Sequence, residues 1–146
     1  MDFFFTKERL LKRNPLRFAY LIGFVSFFVL TEIGRKFYRP YIYRTHIDDF
    51  GIADTIGNSL GTLTQMFLYL GLANATKGQS CRIIVFVTLG YIGYELVQPY
   101  LPRGTFDWKD VFATLGAGIL AAVVVTVVHF VLPERDSSVN KNETRT

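Results

Sequence analysis

The stretch YELVQPYLPRGTFDWKD (94–110) holds five residues able to do chemistry: Glu95, Gln98, Arg103, Asp107 and Asp110. A positioned carboxyl group takes or gives a proton as a general base or acid. An arginine fork pairs with phosphate or carboxylate. Upstream, Asp54 and Asn58 lie four residues apart, which puts them on one face of a helix. Glu95 and Gln98, three apart, share a face for the same reason. No nucleophile–base pair accompanies them. The single cysteine, Cys81, excludes an intrachain disulfide and a thiolate metal cluster. The two histidines, His46 and His129, fall in distant segments, so neither a histidine metal site nor a cofactor is expected.

Glu95 is the hardest of these residues to explain by position alone. Residues 83–102 carry no other charge. Six residues separate Glu95 from Leu101, about 9 Å along a helix. A carboxylate at that depth in a membrane costs roughly 2.5 kcal/mol or more unless it is paired or faces water. Near a helix C-terminus it also opposes the helix dipole. Two readings follow: a ligand or catalytic group, or an ion pair with Arg103 that pins the turn. Asp54 and Asp107 also read as helix N-caps. Asp107 with Asp110 resembles a capping box. Arg103 also reads as an anchor to lipid headgroups, and Tyr91, Tyr94 and Tyr100 as an interfacial aromatic belt.

The elements that position these groups follow from charge segregation. Residues 55–76 carry no charge, residues 111–133 only His129, and residues 18–31 none. A soluble amphipathic helix of that length shows a charged face. A membrane helix needs about 20 mostly apolar residues. The expected fold is all-α, a membrane bundle of four transmembrane helices at about 16–34, 55–76, 82–101 and 110–132. Together they form a domain over 15–133. The start, MDFFFTKERLLKRN (1–14), reads as a short interfacial amphipathic segment, with Asn14 as N-cap and Pro15 as first helical residue. The tail 134–146 reads as disordered. No small-residue cleavage site follows the first run, so it is expected to stay as an anchor.

Alternating helix directions bring Asp54, Asn58, Glu95, Gln98, Asp107 and Asp110 to one face. More Lys and Arg fall on the side of the N-terminus, so both termini are expected in the cytoplasm and the polar groups at the outer face. Basic residues at helix ends suit anionic lipid, and no basic stripe suggests nucleic acid. Gly57 with Gly61, Gly90 with Gly93, and Gly116 with Gly118 are small-residue pairs expected to allow close helix approach.

These residues resemble the VanZ-like membrane proteins. The resemblance runs through NSLGTLTQMFLYLG (58–71) and YELVQPYLPRGTFDWKDVFATLGAGIL (94–120). An acid opens the second helix with a polar residue one turn on; E-x-x-Q ends the third; an arginine and an acid-rich turn lead into a glycine-bearing fourth. Asp54, Asn58, Glu95, Gln98, Arg103, Asp107, Asp110 and Gly116 match. Asn58 stands where a histidine is common, and Thr114 where an asparagine often follows the last acid. The resemblance implies a small bacterial envelope protein linked to glycopeptide (teicoplanin-type) resistance, in the cytoplasmic membrane. The expected function is to bind an amphiphilic or lipid-linked ligand, such as a cell-wall intermediate, in an outer-face pocket. The rivals are a non-catalytic subunit with a membrane protein partner and an enzyme acting on a lipid-linked substrate.

Overall fold

The computed structural model describes residues 15–102 and 104–132. The expected amphipathic segment 1–14, Arg103 and the tail 134–146 lie outside the described residues. The described chain is all helical, with four rods and no strand among the described residues.

The first rod is α1 (Pro15–Ile33), a π turn (Gly34–Tyr38) and α2 (Arg39–Thr45). Together they run 31 residues, Pro15–Thr45, where the sequence suggested a span ending at 34 followed by a loop. Pro40 explains the π turn. Proline has no N–H to give and its ring crowds the carbonyl four residues back. The Arg39 N–H reaches back to the carbonyl of Gly34, so the turn widens before the proline instead of breaking there. Glu32 pairs with Arg35 at 3.9 Å and Lys36 at 3.5 Å, one turn apart, which favours continued helix. The rod stops at His46, which takes a left-handed conformation (φ +53°).

The second rod, α3 (Ile52–Ala73), ends at Asn74, also left-handed, whose N–H closes onto Gly71 and Leu70. The third, α4 (Lys77–Val97), begins at Thr76 in a capping box with Gln79: the Thr76 N–H donates to Gln79 Oε1 at 3.1 Å. This cap places the helix start five residues before the expected position 82. A 3₁₀ turn (Gln98–Tyr100) ends the rod, and α5 (Trp108–Val131) follows.

Helix α3 is the central element. It packs most extensively on α1, then α5, then α4. The apolar core gathers Leu16 and Tyr20 of α1, Leu63, Met66, Phe67 and Leu70 of α3, Ile83 and Ile84 of α4, and Ala117, Ala121 and Val125 of α5. It fills the half of the bundle near the α3–α4 turn. Beyond Ile84, the only buried residue of α4 is Glu95. Among the glycines where rods come together are Gly23, Gly71 and Gly118, of which only Gly118 belongs to an expected pair. A Cβ at Gly23 would stand 2.5 Å from the Phe67 ring, at Gly71 2.7 Å from Leu21, and at Gly118 2.6 Å from Thr88. Gly57, Gly61, Gly90, Gly93 and Gly116 face open space.

Among the described residues, three helices are long and apolar enough to cross a membrane: Pro15–Thr45, Lys77–Tyr100 and Trp108–Val131. Their outward faces carry large apolar side chains such as Phe86, Ile119 and Phe130. That much uncovered apolar surface suits lipid rather than water. Helix α3 is not one of the three. Asn58, Ser59, Thr62, Thr64 and Gln65 lower its hydropathy. Thr62 and Thr64 are buried, with hydroxyls bonded to the carbonyls of Asn58 and Leu60 one turn back.

Candidate functional site

At the end of the bundle away from the apolar core, α3, α4 and α5 bring polar side chains together. Asn58 on α3 donates from Nδ2 to Glu95 Oε1 on α4 at 3.3 Å. Glu95 is only 1% exposed, and its second oxygen, Oε2, has no hydrogen-bond partner among the described residues. Asp110 and Asp107 of α5 lie within electrostatic reach of Glu95. Asp110 also lies within reach of Asn58 and Asp54. One turn along α5 from Asp110, the Thr114 hydroxyl is fully buried and also without a partner. In the sequence Thr114 stands out only as a departure from a family pattern; its four-residue spacing puts it on the same face of α5 as Asp110.

The remaining candidates spread out from this centre. Asp107 is the N-cap of α5, accepting from the Lys109 N–H at 2.8 Å. The capping box with Asp110 does not form: the Asp110 N–H reaches the Asp107 carbonyl, at 3.2 Å, rather than its side chain. Asp54 is exposed and turned toward the first rod, where it accepts from the Tyr43 hydroxyl and has Arg39 Nη2 at 4.0 Å. Arg39 in turn donates from Nε to the Tyr43 hydroxyl and lies 5.3 Å from the ring centre. Gln98 is half-buried and makes no side-chain hydrogen bond among the described residues.

Asp54 does not cap α3, because Asp49 does. Gly51 is the N-cap residue, in a left-handed conformation (φ +83°) that suits a glycine. Asp49 accepts from the N–H groups of Gly51 at 3.1 Å and Ala53 at 2.6 Å. It also takes the Tyr38 hydroxyl at 3.2 Å. Desolvation pushes the Asp49 carboxyl up, but these three donors outweigh it and hold its pKa below the ordinary value. The signal was legible: DDFG before a helix is turn and cap chemistry. The loop and helix ends enclose an open cleft of about 440 Å³, lined among others by Tyr43, His46, Asp48, Asp49, Asp54 and Lys109.

A second polar cluster, which sequence reasoning missed, sits at the opposite end. The Tyr20 hydroxyl is fully buried, 3.1 Å from Ser80 Oγ and 2.8 Å from His129 Nε2. It links α1, α4 and α5. His129 is half-buried near the end of α5 and joins this cluster through its ring nitrogen.

The arrangement defines an all-helical bundle of membrane character, with a carboxylate buried among acids and an amide at one end. Among the described residues no group of three or more His, Cys, Asp or Glu is placed to hold a metal ion. Compared with protein-family models, curated proteins and solved structures, the chain matches none.

Proposed function

We propose that the chain is a four-span protein of a bacterial cytoplasmic membrane, VanZ-like in kind, that binds an amphiphilic or lipid-linked ligand at the acidic end of the bundle. A link to glycopeptide resistance rests on the sequence resemblance alone. One observation carries the binding reading: Glu95 is buried to 1% exposure with one oxygen lacking a partner among the described residues. Leaving a buried carboxylate oxygen unsatisfied is costly, and folding alone gives no reason to keep it. A bound group that satisfies it does. Gly57 and Gly61 on the helix of Asn58, and Gly90 and Gly93 on the helix of Glu95, meet nothing within 4 Å, so these faces leave room for an apolar chain to lie against them. Helix α3 spans despite its polarity because its polar hydroxyls are satisfied inside the helix. The greater Lys and Arg content on the side of both termini puts them in the cytoplasm and the acidic end outside.

Native mass spectrometry of the protein in mild detergent tests this reading. The expected result is a retained lipid that is lost in Glu95→Gln. A protein that carries none, or the same lipid in wild type and variant, overturns it.

The same open glycine faces favour a second reading, a subunit whose α3–α4 side docks a membrane partner. Affinity purification separates the two: a stoichiometric protein partner without bound lipid supports the subunit.

A further inference from the structure

The acidic end has a charge pattern that selects among ligands. Glu95, Asp107 and Asp110 come from two helices and stand within electrostatic reach of one another. None of the three forms an ion pair with a described residue; the described ion pairs involve Glu32 and Asp54 alone. Lys109, next to Asp110 in sequence, turns the other way. Its Nζ lies 2.8 Å from where a Gly51 Cβ would stand, on the cleft beyond α3. Arg39 is engaged by Tyr43 and Asp54.

Two buried oxygens also lack partners among the described residues: Glu95 Oε2, which as a carboxylate oxygen accepts, and the Thr114 hydroxyl, which can accept or donate. Glu95 is 1% and Thr114 0% exposed. The other Glu95 oxygen is held by Asn58, and the carboxyl group lies within electrostatic reach of Asp110 and Asp107. A ligand that suits the Glu95 oxygen and the acids around it brings positive charge and hydrogen-bond donors. An ammonium group has three N–H donors and no acceptor. A metal ion suits it less well, because the described carboxylates do not gather into a ligand set.

On this basis we infer that the group received at Glu95, Asp110 and Thr114 is a protonated amine, carried on the head of the amphiphile or as a free amine. This rests on the binding reading above and narrows it to a cationic head. Asn58 keeps Glu95 Oε1 occupied, so Oε2 is the oxygen left to the amine.

The test uses the whole chain in a mild nonionic detergent and native mass spectrometry. The probes are dodecylamine, dodecyl phosphate and dodecanol, which share a tail, and butylamine as a competitor without one. Wild type is expected to retain dodecylamine in preference to the other two. Glu95→Gln and, independently, Asp110→Asn should weaken that retention by about tenfold or more, the range of a charge-assisted hydrogen bond. Glu32→Gln, away from the cluster, should leave it unchanged. Displacement by butylamine identifies the amine itself as the recognised group, and resistance to displacement identifies a tailed amine; both uphold the inference. Retention of dodecyl phosphate or dodecanol at least as strong as of dodecylamine overturns it while leaving the amphiphile reading standing. Dodecylamine retention unaltered in both Glu95→Gln and Asp110→Asn also overturns it. Retention of none of the probes removes both.

Discussion

Asn58 and Glu95, 37 residues apart in sequence, are joined across α3 and α4 by a 3.3 Å hydrogen bond that satisfies one carboxylate oxygen and leaves the other bare. Half-satisfied buried polar pairs are less stable than fully satisfied ones. Glu95→Gln keeps an acceptor for Asn58 and removes the buried charge. The ligand-free variant is therefore expected to be more stable than wild type, by about 1–3 kcal/mol. Thermal unfolding in lipid-free detergent measures it. A gain in stability together with a loss of ligand is the signature of a residue kept for function. A loss of stability would instead mark Glu95 as a structural pair of Asn58.

The glycines separate into two groups with opposite expected behaviour. Gly23→Ala drives a methyl into Phe67, which is 1% exposed and cannot move aside freely. Overpacking of this kind costs about 1–3 kcal/mol. Gly61→Ala meets nothing within 4 Å and gains helix propensity. It should be neutral or stabilising by about 1 kcal/mol at most. Melting temperatures of the two variants check the contrast, and size measurement of Gly61→Ala shows whether the open face also holds a partner.

That contrast marks what the sequence could and could not reveal. Charge segregation made the helical rods readable, because an uncharged run longer than a bilayer is rare in water. It also made the shared face of Asp54, Asn58, Glu95, Asp107 and Asp110 readable, because helix direction alternates. The Gly57/Gly61 and Gly90/Gly93 pairs misled because small-residue spacing says that a face is small, not that another helix lies against it; of the third pair, only Gly118 meets a neighbour. The real close approaches, at Gly23, Gly71 and Gly118, depend on which side chain stands opposite, and that is a tertiary fact. The basic segment Arg35–Arg44 read as a loop from its charge, yet the π turn before Pro40 carries the helix through it. Tyr20, Ser80 and His129 are separated by 60 and 109 residues, and no local pattern joins them.

The Tyr20 hydroxyl gives a test of that missed cluster. Tyr20→Phe keeps the ring, which packs on Phe67 at 6.3 Å, and removes only the oxygen between Ser80 and His129. The expected cost is about 1–3 kcal/mol. Ser80 retains the Thr76 carbonyl at 3.0 Å, so Ser80→Ala should couple to Tyr20→Phe, the pair costing less than the sum. A double-mutant cycle by thermal unfolding measures the coupling. Tyr69→Phe, on an exposed side chain, should change stability by no more than about 0.5 kcal/mol.

Asp49 sets the acid response of the turn that seats α3. Its folded-state pKa lies below the ordinary value because, against desolvation, the N–H groups of Ala53 and Gly51 and the Tyr38 hydroxyl favour the charged form. The unfolded chain then binds the proton more readily than the folded one. Stability from Asp49 is fully present above the unfolded value, about 3.9, and falls as pH drops through the lower folded value. Acid titration of wild type followed by circular dichroism should show a loss of helix in that window. Asp49→Asn keeps an oxygen for one N–H but has no charge to lose. It should be less stable than wild type at neutral pH, with the difference shrinking as the pH falls below 4. An equal difference at both pH values would show that the N–H bonds act without the charge, and that Asp49 works as a neutral cap.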